Sequence, residues 1–252
     1  MKDLGVTIEE WIAAGTDIRE LACAMFYGKT IELGDGTLWQ PKVFAAALLA
    51  RSMMAQKCAL ILAQNGMVTG TKLHVRVCFE AAIWLRILKL DGMEFVKAIL
   101  DDSKAQGRSF ATHLLPTSDF LNRADRETLQ ALADQPKTPR IELGEKLDAR
   151  GNREDYLVFR MLSDDAVHAS FSSLRKHFPQ NDAGINTEFF VEPPHEEIAL
   201  GLSLYYLSAG LLHVMELYPE IVGDPTALPL VQKGREIFKQ LEASSGYNCD
   251  QG

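Results

Sequence analysis

Apolar residues recur at a helical period along most of the chain. Thr7-Ile8-Glu9-Glu10 has the form of a capping box, and Ile8, Trp11, Ile12, Ile18, Leu21, Ala22 and Met25 follow at helical spacing, which predicts a helix near 8–27. Pro41 opens a run rich in Ala, Leu and Met that closes at Asn65-Gly66. It is apolar almost all round, as a central helix must be. Leu73 to Leu90 predicts another helix, interrupted at Asp91-Gly92, where Asp91 and Glu94 have the form of an N-cap for a helix to about Ala105. One kinked rod is the alternative.

From Leu121 to Asp155 the pattern changes: aromatic residues are absent, charges are dense, and Pro136 and Pro139 break the middle. Short, solvated helices are expected there. Asn152, with Asp155 three residues on, then predicts a capped helix to about Lys176, stopped by Pro179. The loop that follows, to Pro194, is long for a compact domain, as a lid or a crossover would be. Pro193-Pro194 and Glu196-Glu197 start a helix to about Tyr218, and a last one covers roughly Leu230 to Ala243. Between Ile31 and Trp39, Gly34-Asp35-Gly36 suits a small hairpin or a loop.

The fold predicted is an all-α helical bundle of about seven or eight helices, with segments 41–65, 71–106, 153–177 and 195–218 as its four long central members. It forms a single helical domain, 1–252, with a charged short-helical insertion at about 117–152 and a frayed tail from about 245. The chain of 252 residues can bury a core without disulfide or metal staples. Cys23, Cys58, Cys78 and Cys249 fall at no metal-ligand spacing and read as reduced thiols of a cytoplasmic protein. The acidic N-terminus lacks the form of an export signal. The apolar stretch Ile198 to Leu212 is shorter than the ~20 residues of a bilayer span, so no membrane role is expected. A net charge of −8 disfavours indiscriminate binding to phosphate backbones, while a local basic patch remains able to contact RNA.

Two polar interruptions of apolar helices are the candidate chemistry. In the first, Arg76 and Glu80 stand four apart among Cys78, Phe79, Ala81, Ala82, Ile83 and Trp84. A carboxylate in such company needs a partner, either Arg76 or a group from a neighbouring helix. In the second, Arg160, Asp164 and His168 step down one face at i, i+4 and i+8, with Asp165 three residues before His168. A carboxylate there would orient the imidazole and keep its pKa usable, and Glu80 is the partner expected from the other helix. His74 and His113 have no obvious second group, His177 follows Arg175-Lys176 at a helix C-terminus, where the dipole favours positive residues, and His195 sits at a helix start; His213 and Glu216 are i, i+3 on an apolar helix, where such a histidine is more often a satisfied core group than a site. P-loop, dinucleotide-fold, nucleophile-elbow and His-Glu-x-x-His signatures are missing, and no cofactor is expected.

Two stretches carry a resemblance. Leu73-His-Val-Arg76-Val-Cys-Phe-Glu80-Ala-Ala-Ile-Trp-Leu resembles the Arg-x-x-x-Glu helix of bacterial domain-of-unknown-function family 5677, and Leu162-Ser163-x-x-x-Val167-His168-x-Ser170 its Leu-Ser…Val-His-x-Ser helix, over about residues 40–218. That family is similar in turn to the helical HEPN (higher eukaryotes and prokaryotes nucleotide-binding) domains of toxins and phage-defence proteins. The resemblance implies an α-bundle homodimer, RNA as partner, and cleavage without metal by an Arg and a His. HEPN domains place these four to six residues apart, whereas Arg160 precedes His168 by eight and Arg175 precedes His177 by two.

Three functions follow as expectations. The first is a metal-independent HEPN-like ribonuclease, with His168 as general acid/base, Arg76 or Arg160 clamping phosphate, and Glu80 and Asp164 orienting them. A second is a carboxylate-histidine metal protein, using Asp165, His168 and Glu80 with His213 and Glu216. The third is a non-enzymatic sensor or partner-binding bundle with a structural Glu-His-Arg network, its partner a protein from the same locus.

Overall fold

The computed structural model describes residues 5–33, 37–117, 122–141, 146, 153–166 and 197–245, with backbone alone at 153–155 and 164–166. Among the described residues there are eight α-helices and no strand. In chain order they are α1 (Ile8–Phe26), α2 (Pro41–Gln64), α3 (Val68–Asp91), α4 (Met93–Leu114), α5 (Arg123–Ala133), α6 (Arg153–Ala166), α7 (Glu197–Val222) and α8 (Leu228–Ser245). The all-α bundle expected from the periodicity is the fold found.

Local chemistry sets the ends. Thr7 Oγ1 accepts from the Glu10 amide at 3.2 Å and Glu10 Oε2 accepts from the Thr7 amide at 2.7 Å, closing the capping box. Pro41 occupies the first turn of α2, where a missing amide proton costs nothing. Between α3 and α4 the chain turns at Gly92, whose φ of 52° is open to glycine alone at little cost. Gly92 also stands at the N-cap of α4, and Asp91, expected there, is the last residue of α3; the two helices are separate. α4 runs past Ala105 to Leu114, because Gly107 lowers helix propensity without breaking the ladder and the first true breaker is Pro116. α7 likewise continues through Pro219, which in the last turn removes one backbone bond, and ends at Gly223 with its N–H on the Pro219 carbonyl at 2.9 Å.

α2, α3 and α7 pack against one another, α1 lies across α2, α7 and α8, α6 packs on α3, and α5 on α4. α1 thus belongs to the core, where Trp11 and Ile18 are fully enclosed. α3 and α7 approach closely at Gly210: a Cβ there would stand 3.1 Å from Cys78 Cβ and 3.2 Å from the Phe79 ring. α5 has no buried residue. Among the described residues two helices, α2 and α7, are long and apolar enough to cross a bilayer. Of their most apolar windows, 56% and 67% are buried inside the bundle, the position of core helices.

The Gly34-Asp35-Gly36 turn, the Asn152 cap, the helix beyond Ala166, the loop to Pro194, the Pro193-Pro194 start, Cys249 and the tail past Ser245 lie outside the described residues.

Candidate functional site: a polar seam on α3

Arg76 and Glu80 sit one turn apart on α3, and each is met by a different neighbouring helix. Arg76 Nε donates to Ser163 Oγ of α6 at 2.7 Å, while its guanidinium carbon lies 4.5 Å from the centroid of the Phe159 ring. Ser163 is buried and its hydroxyl donates to the Phe159 carbonyl at 2.8 Å, so its oxygen is turned to accept from the arginine. Tyr156 stacks on Phe159 one turn back, with the ring planes 20° apart. The guanidinium is therefore held by a ring face below and a hydroxyl at one edge. Among the described residues its two terminal nitrogens have no hydrogen-bond partner.

Glu80 takes its partner from the neighbouring helix and not from Arg76. Arg51 of α2 brings Nη2 to within 3.2 Å of Glu80 Oε2. The Arg51 side chain is 55% exposed and that of Glu80 19%, so the pair sits at the solvent margin of the seam. There the desolvation cost of a fully enclosed ion pair does not arise.

On the inner side of α3, Cys78 directs its thiol at the Ser52 carbonyl of α2, at 3.8 Å. Burial pushes that thiol up to about 12, against a smaller opposing pull from the Arg51 charge. It is an inert core group. His74, half-buried on the same helix, is held below its ordinary pKa by desolvation and so favours the neutral ring.

Of the other expected site residues, Arg160 is exposed on α6 and engaged in an interaction of its own. Asp164 and Asp165 lie on the backbone of α6, their side chains outside the described atoms. His168, with Arg175, His177 and His195, lies outside the described residues, so the meeting of His168 with Glu80 does too. His213 is half-buried, edge-on to Phe79 with ring centroids 6.2 Å apart, and Glu216 pairs with Arg235 at 2.6 Å. Among the described residues no three His, Cys, Asp or Glu side chains converge as a metal site.

Two members of the seam escaped the sequence reading as site residues. Arg51 is the one charge between Lys42 and Lys57 in an otherwise apolar helix, which is the signal of a cation with an appointed partner. Ser163 follows Phe159 by one turn, the spacing at which a serine hydroxyl satisfies itself on the preceding turn and presents its lone pairs elsewhere.

A model described as a family of unknown function (DUF5677) matches residues 42–185, more than half of the chain, from α2 through α6 and beyond. The matched span contains Arg51, Arg76, Glu80 and Ser163. No curated protein and no solved structure matches the chain.

Proposed function

The chain belongs to the family of unknown function DUF5677, and from that premise we propose that it is a metal-independent, HEPN-like ribonuclease in which Arg76 clamps a phosphate. The observation that carries the reading is the posture of Arg76, fixed through Nε and by the Phe159 face with its terminal fork uncommitted among the described residues. A planar guanidinium so oriented offers a phosphate two parallel N–H donors and loses little freedom on binding. Arg51 neutralises Glu80 beside it, so the carboxylate does not repel an incoming anion.

His168 is assigned the proton transfers. It accepts the proton of the ribose 2′-hydroxyl as that oxygen attacks phosphorus, and the bond to the 5′-oxygen breaks as this leaving group gains a proton. Asp164 orients the imidazole, and Arg160 is the alternative clamp. The proposal carries with it a cytoplasmic homodimer in a toxin or phage-defence setting.

Incubation of the purified chain with single-stranded RNA in a chelator tests it. Cleavage is expected, falling by about 100-fold or more in His168→Ala. Arg76→Lys, which keeps the charge and loses the fork, is expected to lose activity with it. RNA left intact, with His168→Ala indistinguishable from wild type in cells, overturns the proposal.

A second reading is favoured by the same two bonds: Arg51 to Glu80 and Arg76 to Ser163 tie α2, α3 and α6 together, as a non-enzymatic, partner-binding bundle would use them. On that reading their removal lowers stability by about 1 kcal/mol with no separable loss of activity.

A further inference from the structure

We propose that the groove between α4 and residues 134–141 binds a small oligophosphate anion, a site separate from the Arg76 seam. The groove encloses about 380 Å³ and is lined by Arg108, Ser109, Thr112 and His113 of α4 and, from the opposite wall, Lys137 and Arg140. Two arginines, a lysine and an imidazole face one space, with no carboxylate among the described lining residues. In a chain with 34 acidic and 26 basic residues, that is a local reversal of the overall field.

The wall is built, not draped. Thr138 Oγ1 donates to the Asp101 carbonyl at 2.7 Å, the Ile141 amide donates to Asp102 Oδ1 at 3.0 Å, and Arg108 Nε donates to the Ala133 carbonyl at 3.2 Å. Pro136 and Pro139 restrict the backbone on either side of Lys137 and Thr138. The segment is thereby pinned alongside α4 with Lys137 and Arg140 on the groove. The nearby acids are already committed: Asp101 to Lys104 at 2.9 Å, Asp102 to the Ile141 amide and Gln106, and Asp134 to Gln130 at 2.9 Å. Among the described residues neither Lys137 nor Arg140 has an ion-pair partner. Cations gathered in a concave space are the complement of clustered phosphate oxygens, and guanidinium forks bind these two at a time.

His113 adds a fourth group. Its Nδ1 is 2.7 Å from the Ser109 carbonyl, and a carbonyl only accepts, so Nδ1 carries the proton and Nε2 is the ring atom left for a ligand. The volume lies at the small end of the ~300–1,000 Å³ usual for ligand sites, which suits a diphosphate.

Isothermal titration of the full chain with pyrophosphate, against sulfate at matched ionic strength, tests the assignment. Saturable binding is expected for pyrophosphate, weakened about tenfold by Arg140→Gln and further by the Arg108→Gln/Arg140→Gln pair. Circular dichroism of each variant verifies the fold. Adenosine diphosphate, titrated alongside, separates a free diphosphate from one borne by a nucleotide. No saturable binding beyond that of sulfate overturns the proposal, as does unchanged affinity in the folded pair variant. Loss of binding in Arg76→Lys with retention in the pair variant moves the anion to the α3 seam and overturns the α4 site. Retention in Arg76→Lys leaves the α4 site standing whatever the outcome with RNA.

Discussion

The two sides of α3 are made from one helix and obey opposite rules. Its inner side, Val75, Cys78, Phe79 and Ala82, is enclosed by α2 and α7, and Gly210 lets α7 come within van der Waals reach. Its outer side, Arg76 and Glu80, meets α2 and α6 through an ion pair and a hydrogen bond at partial exposure. The inner side stabilises the fold through excluded water and close packing, and tolerates no charge. The outer side contributes little to stability because its charges stay near solvent, which is also what keeps them available to a ligand. Folding energy and reactive groups are thus separated by a rotation of the same helix.

Substitutions rank accordingly. Phe79→Ala empties a fully enclosed position against Tyr206 and His213 and is expected to cost about 3–5 kcal/mol in a denaturant titration. A loss under about 1 kcal/mol would erase the distinction between the two sides. Gly210→Val forces new methyls against Cys78 and Phe79 and should cost about 1–3 kcal/mol by the same measurement. Glu80→Gln removes one charge of a half-exposed pair, so the loss should stay below about 1 kcal/mol and shrink further in high salt. A larger, salt-insensitive loss would place Glu80 with the inner side.

The smallest effect is a pH dependence at His74. Burial depresses its folded pKa below the unfolded value, so the unfolded chain binds the proton first. Its contribution to stability is present above the unfolded pKa and is lost as pH falls through the folded one. His74→Gln should flatten that acid limb, as read from unfolding midpoints between pH 7 and 5.

Much of this separation was legible in the residues alone. The period of apolar positions foretells α1, α2 and α7, the Thr7–Glu10 box and Pro41 mark two starts, and the absence of aromatics foretells the exposed α5. The boundaries of α4 were not, since Gly107 reads locally as a weak point and only the packing of Ala111 shows that the helix has continued. Arg76 and Glu80 stand out as charges among apolar neighbours, but spacing alone leaves Glu80 either Arg76 or a group from another helix, and the partners come from α2 and α6. Tertiary geometry chose between a neighbour one turn away and one 29 residues away. The basic groove depends on two distant segments laid side by side, a juxtaposition no single window contains.

Cys78 gives the molecule a built-in stopwatch. Its thiol is sealed where α2, α3 and α7 meet and is kept protonated at neutral pH, so an alkylating reagent can reach it only while that junction is apart. The rate of its labelling, followed beside the half-buried Cys23 and Cys58, counts openings of the three-helix centre. A ligand that braces the outer side of α3 would slow that count without touching the cysteine.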